Sequence, residues 1–219
     1  MSRFKNLQVG RQRFSKLFWE IVSDRDSVEW AQHDIESIIR DQAKYREKAE
    51  YNTGSISYDD AEDLYLITRY FEPYNIAEVG TFIGTSTVTM RHAFSGCTIY
   101  TCDVSNKICV SPGDQNIKHF YRTPSHKMFE ELAKLGADQA MDMVYLDGRL
   151  TEEDMKPLAN IVYHGTIFVF DDFEGTEKGV ANAMMLDRPN YALIYPREGH
   201  KTAALIPYSR IEFVRQEMT

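Results

Sequence analysis

The sequence predicts a doubly wound α/β domain with a seven-stranded, mainly parallel sheet, preceded by helices. From residue 76 onward, short apolar runs alternate with longer segments of helical periodicity, which is typical of parallel strands joined by crossover helices. Before residue 76 the apolar positions recur only at helical spacing. We therefore divide the chain into an N-terminal helical segment, residues 1–72, and a sheet domain, residues 73–219.

The N-terminal segment contains three predicted helices. The apolar face of the first is formed by Phe14, Leu17, Phe18, Ile21 and Val22. The second is expected to begin near Asp26, which has the spacing of a loose capping box with Glu29. The third follows a break at residues 51–55 and has a capping box at Ser57 and Asp60. We expect the segment to form a cap or lid over the sheet domain, or a homodimer contact.

Strands and helices alternate through the predicted sheet domain. The strands are expected at residues 76–79, 98–102, 117–121, 141–146, 166–170, 191–195 and 202–206. The helices are expected from residue 85 and over residues 125–135, 151–162 and 176–186. Only a short turn separates the last two strands, so one strand of the sheet has to run antiparallel.

Composition narrows the possible partners and the cellular location. The net charge of −8, without a basic stripe, argues against a nucleic-acid partner. The cysteines, Cys97, Cys102 and Cys109, indicate buried thiols in a reducing compartment rather than disulfides or zinc ligands. The sequence has no signal-like or membrane-length apolar run, so we expect a cytoplasmic protein without a membrane partner. Trp19 and Trp30 are expected to be packing residues rather than platforms for a substrate.

The first strand, a glycine turn and the start of a helix form the stretch on which the predicted site depends. Gly80 and Gly84 allow a ligand to approach the backbone, and the following helix N-terminus offers N–H groups to an anion. The two glycines are a poor match to the dinucleotide motif Gly-x-Gly-x-x-Gly. Glu78 is unusual in so apolar a strand, so we expect it to face the ligand or a backbone donor.

Carboxylates stand at the ends of most predicted strands, and ligands bind at that edge of such sheets. These residues are Glu78, Asp103, Asp147, Asp171 and Asp172. Asp103 follows the second strand, where a carboxylate can accept the ribose hydroxyls of an adenosine group or cap a turn. The other three aspartates suit a hard cation such as Mg²⁺. Alternatively, Asp147 binds substrate or cofactor and the aspartate pair caps the next helix, and the spacing leaves both interpretations open.

Residues 78–86, Glu-Val-Gly-Thr-Phe-Ile-Gly-Thr-Ser, resemble the first motif of the class I S-adenosylmethionine-dependent methyltransferases. The match is best to the catechol O-methyltransferase-like family of metal-dependent small-molecule O-methyltransferases. The resemblance covers residues 57–207 and implies a Rossmann-like fold with S-adenosylmethionine as cofactor. It further implies Mg²⁺-dependent methylation of a small-molecule acceptor with adjacent oxygens, such as a catechol, a polyphenol or a sugar diol.

The resemblance also implies roles for particular residues. The implied cofactor-binding residues are Glu78, Gly80, Thr81, Phe82, Gly84, Ser86, Asp103, Ser125, His126 and Asp147. Glu78, Gly80 and Ser86 would serve the methionine carboxylate, and Ser125 with His126 would lie near the adenine. Asp147, Asp171 and Asp172 match the family's metal ligands, with Asp172 in place of an asparagine.

One departure from the family concerns the general base. The family has a lysine or histidine three residues after the fourth-strand aspartate, where this chain has Leu150. Arg149 cannot act as a base near neutral pH, so the base is unassigned, with His126, His164 and His200 as candidates. This departure keeps open a non-catalytic module that binds S-adenosylmethionine. A nicotinamide-dependent oxidoreductase is a further alternative, disfavoured by the missing third glycine.

Overall fold

In the part of the chain that the structure describes, three helices precede a sheet that is covered by helices on both faces. This computed structural model describes the backbone of residues 2–46, 55–105, 113–136, 140–175, 178–186 and 189–211. The N-terminal helices are α1 (Ser2–Val22), α2 (Arg25–Arg46) and α3 (Tyr58–Phe71). The strands are β1 (Asn75–Val79), β2 (Thr98–Asp103), β3 (Ile117–Tyr121), β4 (Met141–Leu146), β5 (Val162–Phe170), β6 (Tyr191–Ile194) and β7 (Ala203–Pro207). Between them lie α4 (Thr85–Ala93), α5 (Ser125–Ala133), α6 (Glu152–Ala159) and α7 (Gly179–Leu186).

The strand order places a crevice in the middle of the sheet. The order is β3-β2-β1-β4-β5-β7-β6, and β1 to β5 are parallel wherever they pair. Strand β7 runs antiparallel to both of its neighbours, which confirms the seven-stranded sheet with one antiparallel strand. The chain winds outward in opposite directions from β1 and from β4. The carboxyl ends of these two strands therefore flank the crevice that open α/β sheets use for ligands.

Two hydrophobic layers enclose the sheet, because successive strand residues point to opposite faces. Helices α1 to α4 cover one face, where Phe18, Ile35 and Leu64 pack with strand residues such as Ile76 and Ile167. Helices α5 to α7 cover the other face, and their apolar residues pack with the alternate strand residues. The N-terminal helices thus complete one layer over the sheet. Their role as a lid or dimer contact stays a prediction.

Capping residues set the starts of α2 and α3. The Ser57 hydroxyl accepts a hydrogen bond from the Asp60 N–H at 3.2 Å, which confirms the predicted start of α3. At α2 the Asp24 carboxylate accepts the Ser27 N–H at 3.0 Å, so the expected box at Asp26 and Glu29 is wrong. Asp24 lies one residue before the helix, so its carboxylate can accept an N–H group of the first turn. Asp26 already lies within that turn and cannot cap it. The break predicted at residues 51–55 lies mostly outside the described residues.

The predicted strands match the structure to within one residue at each end, except at β5. Strand β5 begins at Val162 instead of residue 166, and α6 ends at Ala159 instead of residue 162. The Met141 N–H donates to the Ile161 carbonyl at 2.8 Å. Pairing with β4 therefore begins at residues whose apolar positions still have helical spacing. Strand pairing therefore overrides helical periodicity over these residues.

Side-chain burial tests three further expectations. Cys97 and Cys102 are buried free thiols, as predicted, while Cys109 lies outside the described residues. Trp19 is buried, as a packing residue should be, but Trp30 is 58% exposed, so its predicted packing role is wrong. Trp30 lies on the solvent side of α2, opposite the stripe of Ala31 and Ile35. None of the helices described here combines the length and apolar character needed to cross a membrane.

Candidate active site

The glycine turn after β1 allows two strand ends to lie against each other. Gly80 and Gly84 have φ angles of 98° and 78°, in the left-handed region that favours glycine. A Cβ atom on Gly80 would lie 3.2 to 3.3 Å from atoms of Asp147 and Gly148. The turn thus brings the predicted cofactor loop directly against the end of β4, where Asp147 begins the predicted metal site.

Glu78 is completely buried beneath this turn. Its carboxylate accepts hydrogen bonds from the Ser86 hydroxyl at 2.6 Å and the Thr87 hydroxyl at 2.5 Å. Burial raises the pKa of Glu78 to about 7, although these hydroxyls favour the charged form. The expected partner was the ligand or a backbone donor, but the partners described are hydroxyls in the first turn of α4. Glu78 therefore fixes the N-terminus of α4 against β1.

Backbone donors from two loops orient the carboxylate of Asp103 at the end of β2. One oxygen accepts the Phe82 N–H at 2.9 Å, and the other accepts the Ser105 N–H at 2.8 Å. Nearby, the hydroxyls of Thr81 and Thr101 are hydrogen-bonded at 2.5 Å, which ties the glycine turn to β2. Asp103 is therefore held in one position at the crevice, with acceptor capacity left for a ligand.

A cavity of about 580 Å³ opens at the carboxyl ends of β1, β2 and β4. The predicted cofactor residues that line it are Gly80, Phe82, Asp103, Ser125, His126 and Asp147. Thr81 and Ser86 line a small recess beside it, together with Asp147. Glu78 and Gly84 are buried behind these residues. The fold thus brings the predicted cofactor residues together around one cavity, and their binding roles stay predictions.

The three predicted metal ligands also converge. Asp147 follows β4, Asp171 and Asp172 follow β5, and one carboxylate oxygen from each lies within 4.8 Å of the others. Burial and the neighbouring carboxylates raise the pKa of Asp171 to about 8. Burial also raises the pKa of Asp147 above its ordinary value. The carboxyl groups therefore lie close enough together to disfavour one another's charged forms.

Lys178 is a central residue of this cluster that the sequence analysis missed. Its ammonium lies 2.7 Å from Asp147 Oδ1 and 2.6 Å from Asp172 Oδ2. Burial opposes the lysine charge, but these carboxylates raise the pKa of Lys178 above its ordinary value. One signal was available, since a cation beside a helix N-terminus opposes the helix dipole and so calls for an acidic partner. Lys178 immediately precedes α7.

The position expected to hold the general base belongs to the core. Leu150 is only 3% exposed, and its N–H donates to the Asn182 side-chain oxygen at 2.9 Å. The Asn182 amide in turn donates to the Gly148 carbonyl at 2.9 Å. Asn182 of α7 therefore braces the loop after β4, and Leu150 packs beneath the site without contributing a titratable group.

The three candidate histidines occupy different parts of the fold. His126 lines the cavity, with Nδ1 3.6 Å from a carboxylate oxygen of Glu153. His164 lies near the amino end of β5, whereas the cavity lies at the carboxyl ends of the strands. His200 lies 3.0 Å from the buried carboxylate of Asp63. The structure therefore leaves His126 as the one of these three beside the predicted cofactor residues.

A second polar cluster joins α3 to the connection between β6 and β7. We call it the α3 clamp, and it consists of Glu62, Asp63, Arg197 and His200. The Arg197 guanidinium donates to Asp63 and to Glu62, each at 2.6 Å. Burial raises the pKa of Asp63, while the hydrogen bond to Asp63 raises the pKa of His200. The clamp fixes the start of α3 against the turn that leads into the antiparallel strand.

Comparison with known proteins identifies the fold. No protein-family model matches the chain, and no curated protein matches it either. Solved structures do match. The O-methyltransferase TomG from Streptomyces achromogenes, involved in tomaymycin synthesis and solved in complex with S-adenosylmethionine, has a TM-score of 0.58 at 16% identity. That match covers 78% of this chain and 89% of the TomG chain.

Further solved methyltransferases agree with this result. The O-methyltransferase from Bacillus cereus, in complex with S-adenosylhomocysteine, has a TM-score of 0.56 at 14% identity and covers 88% of this chain and 96% of its own. The Podospora anserina methyltransferase PaMTH1, also bound to S-adenosylhomocysteine, has a TM-score of 0.56 at 13% identity. That match covers 78% of this chain and 87% of the PaMTH1 chain. The chain therefore has the Rossmann-like fold of S-adenosylmethionine-dependent O-methyltransferases, which confirms the predicted fold class.

Proposed function

We propose that the protein is an S-adenosylmethionine-dependent methyltransferase that acts on an oxygen of a small-molecule acceptor. The observation that carries the proposal is the cavity that Asp103 shares with the glycine turn and with Asp147. It lies where the strand order reverses, the position at which α/β sheets bind ligands. The cofactors bound to the similar solved structures support the choice of S-adenosylmethionine.

Each part of the cavity suits one part of that cofactor. Asp103, held by the Phe82 and Ser105 N–H groups, has free acceptor capacity for ribose hydroxyls. Ser125 and His126 stand on the adenine side, and the α4 N-terminus braced by Glu78 suits the methionine carboxylate. When bound, S-adenosylmethionine supplies an electrophilic methyl group on its sulfonium. The protein's part is to hold donor and acceptor in line.

We also propose that Asp147, Asp171 and Asp172 hold Mg²⁺. The donor chemistry fits, because the three carboxylates are hard oxygen ligands that converge within 4.8 Å. The Lys178 ammonium already in contact with Asp147 and Asp172 supports a site that accommodates a cation. A bound Mg²⁺ would lower the pKa of an acceptor hydroxyl, which matters because Leu150 offers no base. Adjacent acceptor oxygens, as in a catechol, polyphenol or sugar diol, suit such a site.

Calorimetric titration with S-adenosylmethionine tests the cofactor site. We expect binding by the wild type, and we expect Asp103→Ala to weaken it about tenfold or more, because ribose loses its charged acceptor. Asp24→Ala is the matched control, since Asp24 also accepts a backbone N–H but lies at the start of α2 and does not line the cavity. Binding of NAD without a response to S-adenosylmethionine would contradict the proposal. Cofactor binding without methyl transfer to any diol or catechol would favour the non-catalytic module.

A further inference from the structure

The Lys178 ammonium is fully coordinated inside the aspartate cluster. A lysine ammonium has three N–H donors. Its three oxygen contacts are Asp147 Oδ1 at 2.7 Å, Asp172 Oδ2 at 2.6 Å and the Asp147 carbonyl at 3.2 Å. Each donor thus has an acceptor available, and each acceptor belongs to a predicted metal ligand. The lysine thus holds one carboxylate oxygen of each of two predicted metal ligands.

A divalent cation would draw its ligands from the same carboxylates of Asp147 and Asp172, together with Asp171. Mg²⁺ binds oxygen ligands at about 2.0 to 2.1 Å and tolerates little distortion of its octahedral shell. An ammonium hydrogen-bonded to those oxygens would stand within a few ångströms of the metal, where two positive charges repel strongly in a partly buried site. Occupation by Lys178 and occupation by a divalent cation therefore exclude each other at Asp147 and Asp172.

We propose that Lys178 is an internal counter-ion that competes with the divalent cation for Asp147 and Asp172. Metal binding then requires the lysine side chain to withdraw from the cluster, and the resting site holds its own cation in the absence of metal. The inference rests on the metal site of the proposed function, but it does not depend on methyl transfer. It gives the site two mutually exclusive states, one with lysine and one with metal.

Manganese titration followed by electron paramagnetic resonance tests the competition directly, because the free ion gives the signal. The titration is performed on the full chain without S-adenosylmethionine, and Mg²⁺ is added afterwards to displace the bound Mn²⁺. We expect Lys178→Met to bind Mn²⁺ about tenfold or more tightly than the wild type, since an internal positive charge is removed from the ligand oxygens. Lys178→Gln, which keeps polarity and length, serves if the methionine variant folds poorly.

Lys201→Met is the matched control. Lys201 lies at the same end of the sheet, but its ammonium pairs with Glu174 at 2.8 Å instead of the three aspartates. Its removal should change Mn²⁺ affinity by less than about threefold, because a more distant charge is screened by solvent. Equal affinity in the wild type and both Lys178 variants would overturn the competition. An equally large effect of Lys201→Met would also overturn it, because general charge would then explain the gain.

Nitrogen-15 resonances of the lysine ammonium groups provide a second readout. The Lys178 signal, identified by its absence in Lys178→Met, should shift or disappear as Mg²⁺ is added to the wild type. Persistence of that signal at saturating Mg²⁺ would contradict withdrawal of the lysine. Absence of Mn²⁺ binding in every variant would remove the metal site, whereas S-adenosylmethionine binding would still decide the methyltransferase proposal separately.

Discussion

Glu78 places a carboxyl group completely inside the molecule, between β1 and the first turn of α4. Hydroxyl partners such as Ser86 and Thr87 donate to the charged form, yet burial prevails and raises its pKa to about 7. The folded protein therefore keeps a proton on Glu78 that the unfolded chain releases near its ordinary pKa of 4.5. This residue makes the stability of the cofactor loop depend on pH.

We predict that Glu78→Gln flattens the dependence of stability on pH. The contribution of the raised pKa is fully present below pH 4.5 and is lost as pH rises through about 7, which amounts to about 3 kcal/mol. Urea unfolding at pH values on both sides of this window measures the difference. The exposed Glu36→Gln is the control and should leave the wild-type slope unchanged. An unchanged slope in Glu78→Gln would show that the carboxyl is charged in the folded state.

Single residues also mark the limit of what the sequence could predict about the site. Asp103, Asp147 and Asp171 were found because each follows an apolar strand, and strand ends meet at one edge. The pairing of Lys178 with Asp147 was missed because Asp147 lies 31 positions away along the chain, and only the fold brings the two together. The role of Leu150 likewise depends on Asn182, which no local pattern connects to it.

At the scale of elements, the α3 clamp joins two segments that are distant in sequence. Arg197 contacts two carboxylates of α3, and Asp63 is completely buried. The Asp60 carboxylate adds a further contact, because it accepts the Lys201 N–H at 2.6 Å. Helix α3 and the start of β7 are thereby fixed to each other beside the site.

We predict that Arg197→Met destabilises the protein by about 3 kcal/mol or more, because Glu62 and the buried Asp63 lose the guanidinium that contacts both and only His200 remains beside Asp63. Asp63→Asn combined with Arg197→Met should recover part of that loss, since one uncompensated charge disappears with the second change. Urea unfolding of the wild type, both single variants and the double variant measures the coupling free energy. Strictly additive effects would show that Arg197 and Asp63 do not interact.

Element positions were predictable wherever burial and local pattern agree. β4 is predicted to the residue, because a run of six mainly apolar residues that ends at Asp147 is too short for a helix and has the length of a buried strand. The start of β5 was not predicted, because residues 162–165 follow a helical pattern and become extended only through pairing with Met141. The cap at Asp24 was missed because aspartates at positions 24 and 26 compete as caps.

At the scale of the whole molecule, the N-terminal helices and the sheet share a hydrophobic layer. The Trp19 indole N–H donates to the Tyr195 carbonyl at 2.8 Å, and the Tyr195 N–H donates to the Ser15 hydroxyl at 3.0 Å. These bonds join α1 to the end of β6 across nearly the full length of the chain. The sequence pattern changes at residue 72, but these contacts cross that boundary.

We predict that α1 and the sheet unfold together. Trp30→Phe removes the exposed indole and leaves Trp19 as a single buried fluorescent reporter of α1. Its unfolding midpoint in urea should coincide with the midpoint from far-ultraviolet circular dichroism, as a cooperative single unit requires. A Trp19 transition at a clearly lower urea concentration would contradict this prediction. It would instead support the expectation that the N-terminal segment is a lid that can separate from the sheet.

The close contact between β1 and β4 has a consequence for how new acceptors could be accommodated. The Val79 carbonyl accepts the N–H groups of both Asp147 and Gly148, at 3.0 and 2.9 Å, and Gly80 leaves no room for a side chain between them. A substitution at this contact between the ends of β1 and β4 would disturb both halves of the site. Diversification of acceptor preference, in nature or in a mutant library, should therefore spare Val79, Gly80, Asp147 and Gly148.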